Sequence, residues 1–274
     1  MTPRALAPLL SRRRKARDGA TVLVTGAAGC IGEVLRRELA QRHGLRLLDA
    51  RPSSSAGSHR GDMRRLDDVA WAFDGIETVI DLAANSDQHA SWEQVRRNNL
   101  EACANTLEAA RRAGVRRVIV ASSNHVTGLY ERDDPYAVIV AGKYGELDSG
   151  TLRRIDRTWP IRPDGFYGVG KAMAEAAGRY YADEHGLSVI CLRIGTVNRA
   201  NRPTSPRTFA TLLTHRDLAQ LVEQCLTAPT SLRYAIYYGF SANTWRFWDI
   251  GDARAEIGYE PRDDAEEWRG PTSG

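Results

Sequence analysis

The stretch Thr21-Val-Leu-Val-Thr-Gly26-Ala-Ala-Gly29-Cys-Ile-Gly32 constrains this chain most. A short apolar strand runs into three glycines spaced by three, and a helical run opens at Glu33. Glycines at such a turn let the backbone approach an anion closely and let the helix pack tightly on the strand. The helix N-terminus adds unpaired N–H groups and the positive end of its dipole. The spacing is G-x-x-G-x-x-G rather than G-x-G-x-x-G, and its position between strand and helix points to the pyrophosphate of a dinucleotide.

The rest of the chain repeats this alternation. Strands are expected at Leu45–Asp49, at 79–83, from Arg117 to Ser123, at 187–193 and at 234–238. Helices are expected at 66–73, from Ser91 to Ala113 with Gly114 as C-cap, from Phe166 to His185 stopped by Gly186, and from Thr214 to Thr227 with Thr214 as N-cap. A Trp-rich segment is read as helical from Trp245 to Ile257. Strands alternating with helices predict an α/β fold, a parallel sheet covered on both faces. Between Asn124 and Asp164 the chain shows little periodicity, which marks a lid or binding loop. There is no internal repeat.

Composition excludes several classes. The 274 residues suit one large domain or a domain with a small lobe, and 42% apolar with 26% charged residues is ordinary for a water-soluble globule. No apolar run approaches the ~18 residues needed to span a bilayer. The net charge is +4, but six basic residues fall in the first 17 positions, so the body is near neutral and offers nucleic acid no patch. Residues 1–19 are read as a basic tail. The four cysteines are scattered and read as reduced thiols of a cytoplasmic protein, and the six histidines lack metal-ligand spacing.

Several residues carry chemistry. Asp49 ends the second strand, where a carboxylate can accept ribose hydroxyls and repel a 2′-phosphate, favouring NAD over NADP despite Arg51 nearby. Asp62 is a candidate for the adenine amine, with a turn role as the alternative. Ser123, Asn124 and His125 end the fourth strand at the carboxyl edge, where ligands of such sheets bind. Tyr167 and Lys171 form a Tyr-x-x-x-Lys pair, one turn apart on a helix. An ammonium beside a phenol favours the phenolate, a base for proton abstraction. Only three of the 38 Lys and Arg residues are lysine, so a compact ammonium at Lys171 stands out. His215-Arg-Asp-Leu218 mimics a kinase loop but lacks that motif's other parts.

Taken in order, Thr25–Gly32, Asp49, Asp81-Leu-Ala-Ala84, Asn99, Ser123 and Tyr167-x-x-x-Lys171 resemble the extended short-chain dehydrogenase/reductases, the NAD-dependent epimerase/dehydratase group. Ala121–His125, Arg162–Lys171, Leu192–Gly195 and Gly239–Asn243 are most similar to the uronate dehydrogenases within it. The resemblance implies a Rossmann-type doubly wound sheet over 20–197, with the 126–163 loop inserted. A small substrate lobe is implied over 198–274, with one helix and one strand returning to the sheet. It implies oxidation of C1 of a uronate-type sugar acid or sugar to a lactone, with Tyr167 as base, Lys171 supporting it and Ser123 orienting the hydroxyl. Gly26, Gly29, Cys30, Ile31, Gly32, Asp49, Asp62, Leu82, Ala83, Asn99, Lys171 and Ile194 would hold NAD. Ser86, Ser123, Asn124, His125, Tyr167 and Thr196 would meet the sugar, and Arg207 its carboxylate, with Arg202 or Arg199 as alternatives. A nucleotide-sugar epimerase or dehydratase is the alternative function, and Asn124-His125 replaces the dehydratases' Asp-Glu pair. A homodimer packed through the helices at 91–113 and 166–185 is implied as well. One departure stands out. The stretch between His125 and Arg162 is longer than in uronate dehydrogenases and bears on the substrate.

Overall fold

The structure, a computed structural model, describes residues 21–52, 57–145 and 147–269. The basic tail expected over 1–19 lies outside the described residues. Seven parallel strands form one sheet: β1 (Val22–Thr25), β2 (Leu45–Asp49), β3 (Ser58–Arg60), β4 (Thr78–Asp81), β5 (Arg117–Ser123), β6 (Ser188–Ile194) and β7 (Tyr234–Gly239). Their order is β3-β2-β1-β4-β5-β6-β7. The chain builds outward from β1 in one direction, then returns to β4 and builds in the other. The crevice between the carboxyl ends of β1 and β4 is therefore the topological switch point.

Helices cover both faces: α1 (Cys30–Leu39), α2 (Leu66–Val69), α3 (Trp92–Val95), α4 (Glu101–Ala113), α5 (Tyr136–Val140), α6 (Phe166–His185), α7 (Thr208–Thr211), α8 (His215–Thr227) and α9 (Gly251–Ile257). Alternate residues of each strand enter opposite cores. Val22, Val24, Ile80, Ile119 and Ile190 join one buried cluster, and Leu23, Val79, Val118, Val120 and Val189 the other. A period of two with apolar residues on both faces is what a sheet buried on both sides requires.

Several elements differ from the sequence reading. β3 was not expected; it has three residues, all polar, and exists through pairing with β2. The helix over 91–113 is continuous but relaxes into a π-turn at Arg96–Leu100. Of the stretch read as helical, only α9 is, because Phe247 and Trp248 are wholly buried with their rings stacked, and the backbone around them bonds Ile155, whose N donates to Phe247 O and whose O accepts from Asp249 N. The 126–163 loop is no bare loop. It contains a 3₁₀ run, Asn124–Arg132, and α5. Its base is closed by Leu129 N donating to Arg162 O and Arg162 N to Val126 O. Tyr136 stacks on Phe247 at 4.8 Å, and Tyr130 meets Trp159 edge-on at 5.1 Å. These aromatics, with Ile139 and Ile155, belong to the same buried cluster as β1 and β7.

Candidate active site

The site begins with a steric demand at the end of β1. Gly26 has φ +64°, and a Cβ there would lie 2.7 Å from the backbone of Leu82. Only glycine meets both conditions without displacement. Thr25 and Thr106 donate to Asp81 Oδ1 at 2.7 and 3.1 Å, pinning β1, β4 and α4 beneath the turn. Burial pushes the Asp81 carboxyl above its usual range, against the threonine bonds and the Lys171 charge. No side chain caps α1 at Gly29, so its first-turn N–H groups are left for the cavity that Gly29, Cys30, Ile31 and Gly32 line.

That cavity has a volume of about 780 Å³ and follows the carboxyl edge of the sheet from Asp49 and Asp62 to Tyr167 and Thr196. Asp49 accepts from Ala28 N at 2.9 Å and from Arg51 N and Nε at 2.8 and 3.1 Å. Burial raises its carboxyl, but these bonds outweigh burial and hold it below the usual range. Asp62 is held low by the guanidinium of Arg64, whose Nη2 donates to it at 2.6 Å.

The other end is built by α6. A Cβ on Gly168 would sit 2.3 Å from His125 O, so glycine there lets the first turn of α6 lie directly on the end of β5. Tyr167 is thereby brought to His125, with ring centroids 5.7 Å apart. One turn on, the buried Lys171 donates to Ala121 O at 2.6 Å, with its Nζ 5.7 Å from the Tyr167 ring centre. Asp164 Oδ2 lies 2.6 Å from His125 Nδ1 and fixes the imidazole. Ser123 Oγ accepts from His125 N at 3.2 Å. Under α6 a buried ion pair joins Glu175 to Arg193, whose Nη1 donates to the Tyr238 hydroxyl. Ser122 donates to Glu175 at 2.5 Å.

Of the residues expected at the site, the cavity brings together Gly26, Gly29, Cys30, Ile31, Gly32, Asp49, Asp62, Leu82, Ala83, Ser86, Ser123, Asn124, His125, Tyr167, Lys171, Ile194 and Thr196. Two expected residues do not line it. Asn99 is buried behind it, where its amide bonds both Asn85 N and Asn85 O and fixes the loop after β4. Arg207 turns its guanidinium onto Glu131, with Nε and Nη2 each 2.6 Å from a carboxylate oxygen. Arg199 does line the cavity, but beside the glycine turn, paired with Glu33 at 3.1 Å. Sequence reasoning missed Glu131 and Asp164. Glu131 stands among other charged residues and Asp164 inside the Arg162–Lys171 stretch without a spacing that marks its role, and their partners lie 76 and 39 positions away.

Comparison with known proteins accounts for this arrangement. Residues 22–236 match the model of the NAD dependent epimerase/dehydratase family. The chain belongs to that family. It is 35% identical to the NAD-dependent glucose-6-phosphate dehydrogenase of Haloferax volcanii over 90% of this chain and 95% of that protein. It is 34% identical to the uronate dehydrogenase of Pseudomonas putida, over 90% and 86% of the two chains. A mutant uronate dehydrogenase of Agrobacterium tumefaciens, solved in complex with NAD, superposes with a TM-score of 0.75 at 30% identity, covering 90% of this chain and 86% of that one. The cofactor is NAD, and the residues present fit it: a glycine turn with no room for a Cβ, an uncapped helix start and an ionised carboxylate at the end of β2. Among the described residues no helix is long and apolar enough to cross a membrane.

Proposed function

We propose that this NAD-dependent dehydrogenase oxidises the C1 hydroxyl of a sugar or sugar acid to the lactone. The observation that carries the reading is one continuous cavity with a phosphate-binding turn at one end and Ser123, Tyr167 and Lys171 at the other. In this reading Gly26, Gly29, Cys30, Ile31 and Gly32 hold the pyrophosphate, and Asp49 takes the adenosine ribose hydroxyls. Asp62, Leu82, Ala83 and Ile194 flank the cofactor, and Asn99 acts behind them by fixing their loop. NAD, when bound, supplies the hydride acceptor. The Tyr167 oxygen takes the proton of the C1 hydroxyl as that carbon is oxidised. Lys171, anchored on Ala121 O, places positive charge where the Tyr167 oxygen becomes negative. Ser123 orients the reacting hydroxyl. Ser86, Asn124, His125 and Thr196 offer hydrogen-bonding groups to the other sugar hydroxyls, and Asp164 sets the imidazole orientation.

The test is direct. The purified chain with NAD should raise absorbance at 340 nm when given members of a panel of aldoses, uronates and sugar phosphates. Silence across the whole panel, with NAD and with NADP, would sink the reading.

A cytoplasmic homodimer completes it. Phe166, Met173 and Tyr180 recur every seven residues along α6 and are 53%, 45% and 57% exposed, and Trp92 lies against Phe166 at 5.9 Å. Such a stripe on a helix supports pairing with a second copy. Equilibrium sedimentation at the monomer mass would refute it.

A further inference from the structure

We propose that Glu131 occupies, from within the chain, the place of a substrate carboxylate, so that the sugar oxidised here is neutral. The inference rests on the dehydrogenase reading above and narrows its substrate class.

Arg207 is the residue expected to receive an anionic sugar. Its guanidinium is already spent. Nε and Nη2 grip the two oxygens of Glu131 at 2.6 Å each, the two-pronged geometry a carboxylate ligand would adopt. Nη1 reaches Thr196 Oγ1 at 3.4 Å. With the Asn124 amide turned so that both its atoms are satisfied, its oxygen accepts from Arg207 Nη2 at 3.0 Å and its nitrogen donates to Ile194 O at 3.1 Å. Asn124 and Thr196 both line the cavity, so the pair stands directly behind its sugar end.

The pair is enclosed as well as well aligned. The Glu131 side chain is 13% exposed and that of Arg207 27%. A uronate or a sugar phosphate approaching Arg207 would have to share one guanidinium with Glu131, which sets two anions side by side. Otherwise it must push Glu131 aside and strand a mostly buried carboxylate. Either course is unfavourable in a partly desolvated site. A hydroxyl or hydroxymethyl group avoids both.

Among the described residues that line the cavity, every other basic side chain is already engaged: Arg51 with Asp49, Arg64 with Asp62 and Arg199 with Glu33, all toward the glycine-turn end, His125 with Asp164, and Lys171 with Ala121 O beside Tyr167. Glu131 is also held firmly. It sits in the 3₁₀ run at the start of the insertion, where neighbouring Tyr130 is buried against Trp159.

The experiment uses the purified full chain with NAD and sugars matched in stereochemistry. kcat/KM is measured for galactose against galacturonate, and for glucose against glucuronate and glucose 6-phosphate. The wild type should favour the neutral member of each set at least ~10-fold. Glu131→Gln, which keeps the shape but leaves Arg207 unneutralised, should move that ratio at least ~10-fold toward the acids. Glu131→Gln combined with Arg207→Gln, a neutral pair, should return the preference for neutral sugars. NAD affinity and the melting temperature of each variant report whether it folds. Should a variant fail to fold, the wild-type ratio decides alone. A wild-type preference for uronate or phosphate overturns the inference, and so does an equal loss on all sugars in Glu131→Gln, which would mark a structural pair. Failure to reduce NAD with any of them overturns the dehydrogenase reading itself, a different result.

Discussion

The two ends of the cavity are built by different means. The cofactor end is made mostly from short sequence stretches: Gly26 to Gly32 carry the turn and the start of α1, and Asp49 is held by Ala28 N of that turn and by its own neighbour Arg51. The proposed sugar end is backed by pairs that the fold brings together, His125 with Asp164 and Glu131 with Arg207, and by the 126–163 segment packed on Phe247 and Trp248. A local motif can be kept while the pairs change.

Tyr167 is the base of the proposed reaction, so its loss should have the largest effect. Tyr167→Phe keeps the ring against His125 and removes the hydroxyl. Its kcat should fall by ~10²–10⁴-fold, the usual range for a lost acid–base group. The NAD dissociation constant from calorimetry should stay within twofold. Comparable turnover in the variant would remove the tyrosine from the chemistry.

Next is the aromatic platform. Phe247→Ala removes a wholly buried ring stacked on Tyr136 and Trp248. A loss of ~3–5 kcal/mol in unfolding free energy is expected, read from the urea midpoint. In the fraction still folded, KM for the sugar should rise while NAD affinity holds. Equal damage to both would mean the ends are not built independently.

These two sites also show why one end was legible in the sequence and the other was not. The strands, the Gly114 and Gly186 caps and the Thr214 cap lie where the pattern placed them, because each answers to a local need: burial on two faces, a left-handed residue, or an unpaired first-turn N–H. Thr214 indeed accepts from Asp217 N. β3 was illegible because three polar residues carry no period. The insertion was illegible because it packs through single aromatics, Tyr130, Tyr136 and Trp159, rather than along a repeating face. Nothing beside Glu131 in sequence announces Arg207. Arg207 was expected to receive a substrate carboxylate; in the structure its guanidinium is held by the carboxylate of Glu131.

Gly26→Ala probes the cofactor end alone. A positive φ costs a side chain about 1–2 kcal/mol, and the new methyl must displace the Leu82 backbone that lies 2.7 Å from it. NAD binding should weaken by roughly tenfold, the equivalent of that energy, with KM for the sugar at saturating NAD nearly unchanged. A selective rise in the sugar KM would contradict the division into two ends.

The smallest effect tests how far Asp49 depends on Arg51. The Asp49 carboxyl is raised by burial but lowered overall by the Arg51 bonds and Ala28 N, so its folded value lies below the unfolded one. Such a group stabilises the fold fully above the unfolded value, ~3.9 for an aspartate, and loses that contribution as pH falls through the folded value. Arg51→Ala removes the guanidinium and keeps the backbone N–H bonds. At pH 7 the variant should lose well under ~1 kcal/mol, because the Arg51 side chain is 65% exposed and water screens the pair. The gap between the two urea midpoints should narrow as pH falls below the ordinary aspartate value of ~3.9, because Asp49 of the variant, less depressed without the guanidinium, takes up its proton before the wild type does. A gap that stays constant over that range would show that Arg51 acts through packing instead, and that the ionised state of Asp49 is secured by the turn's own N–H groups.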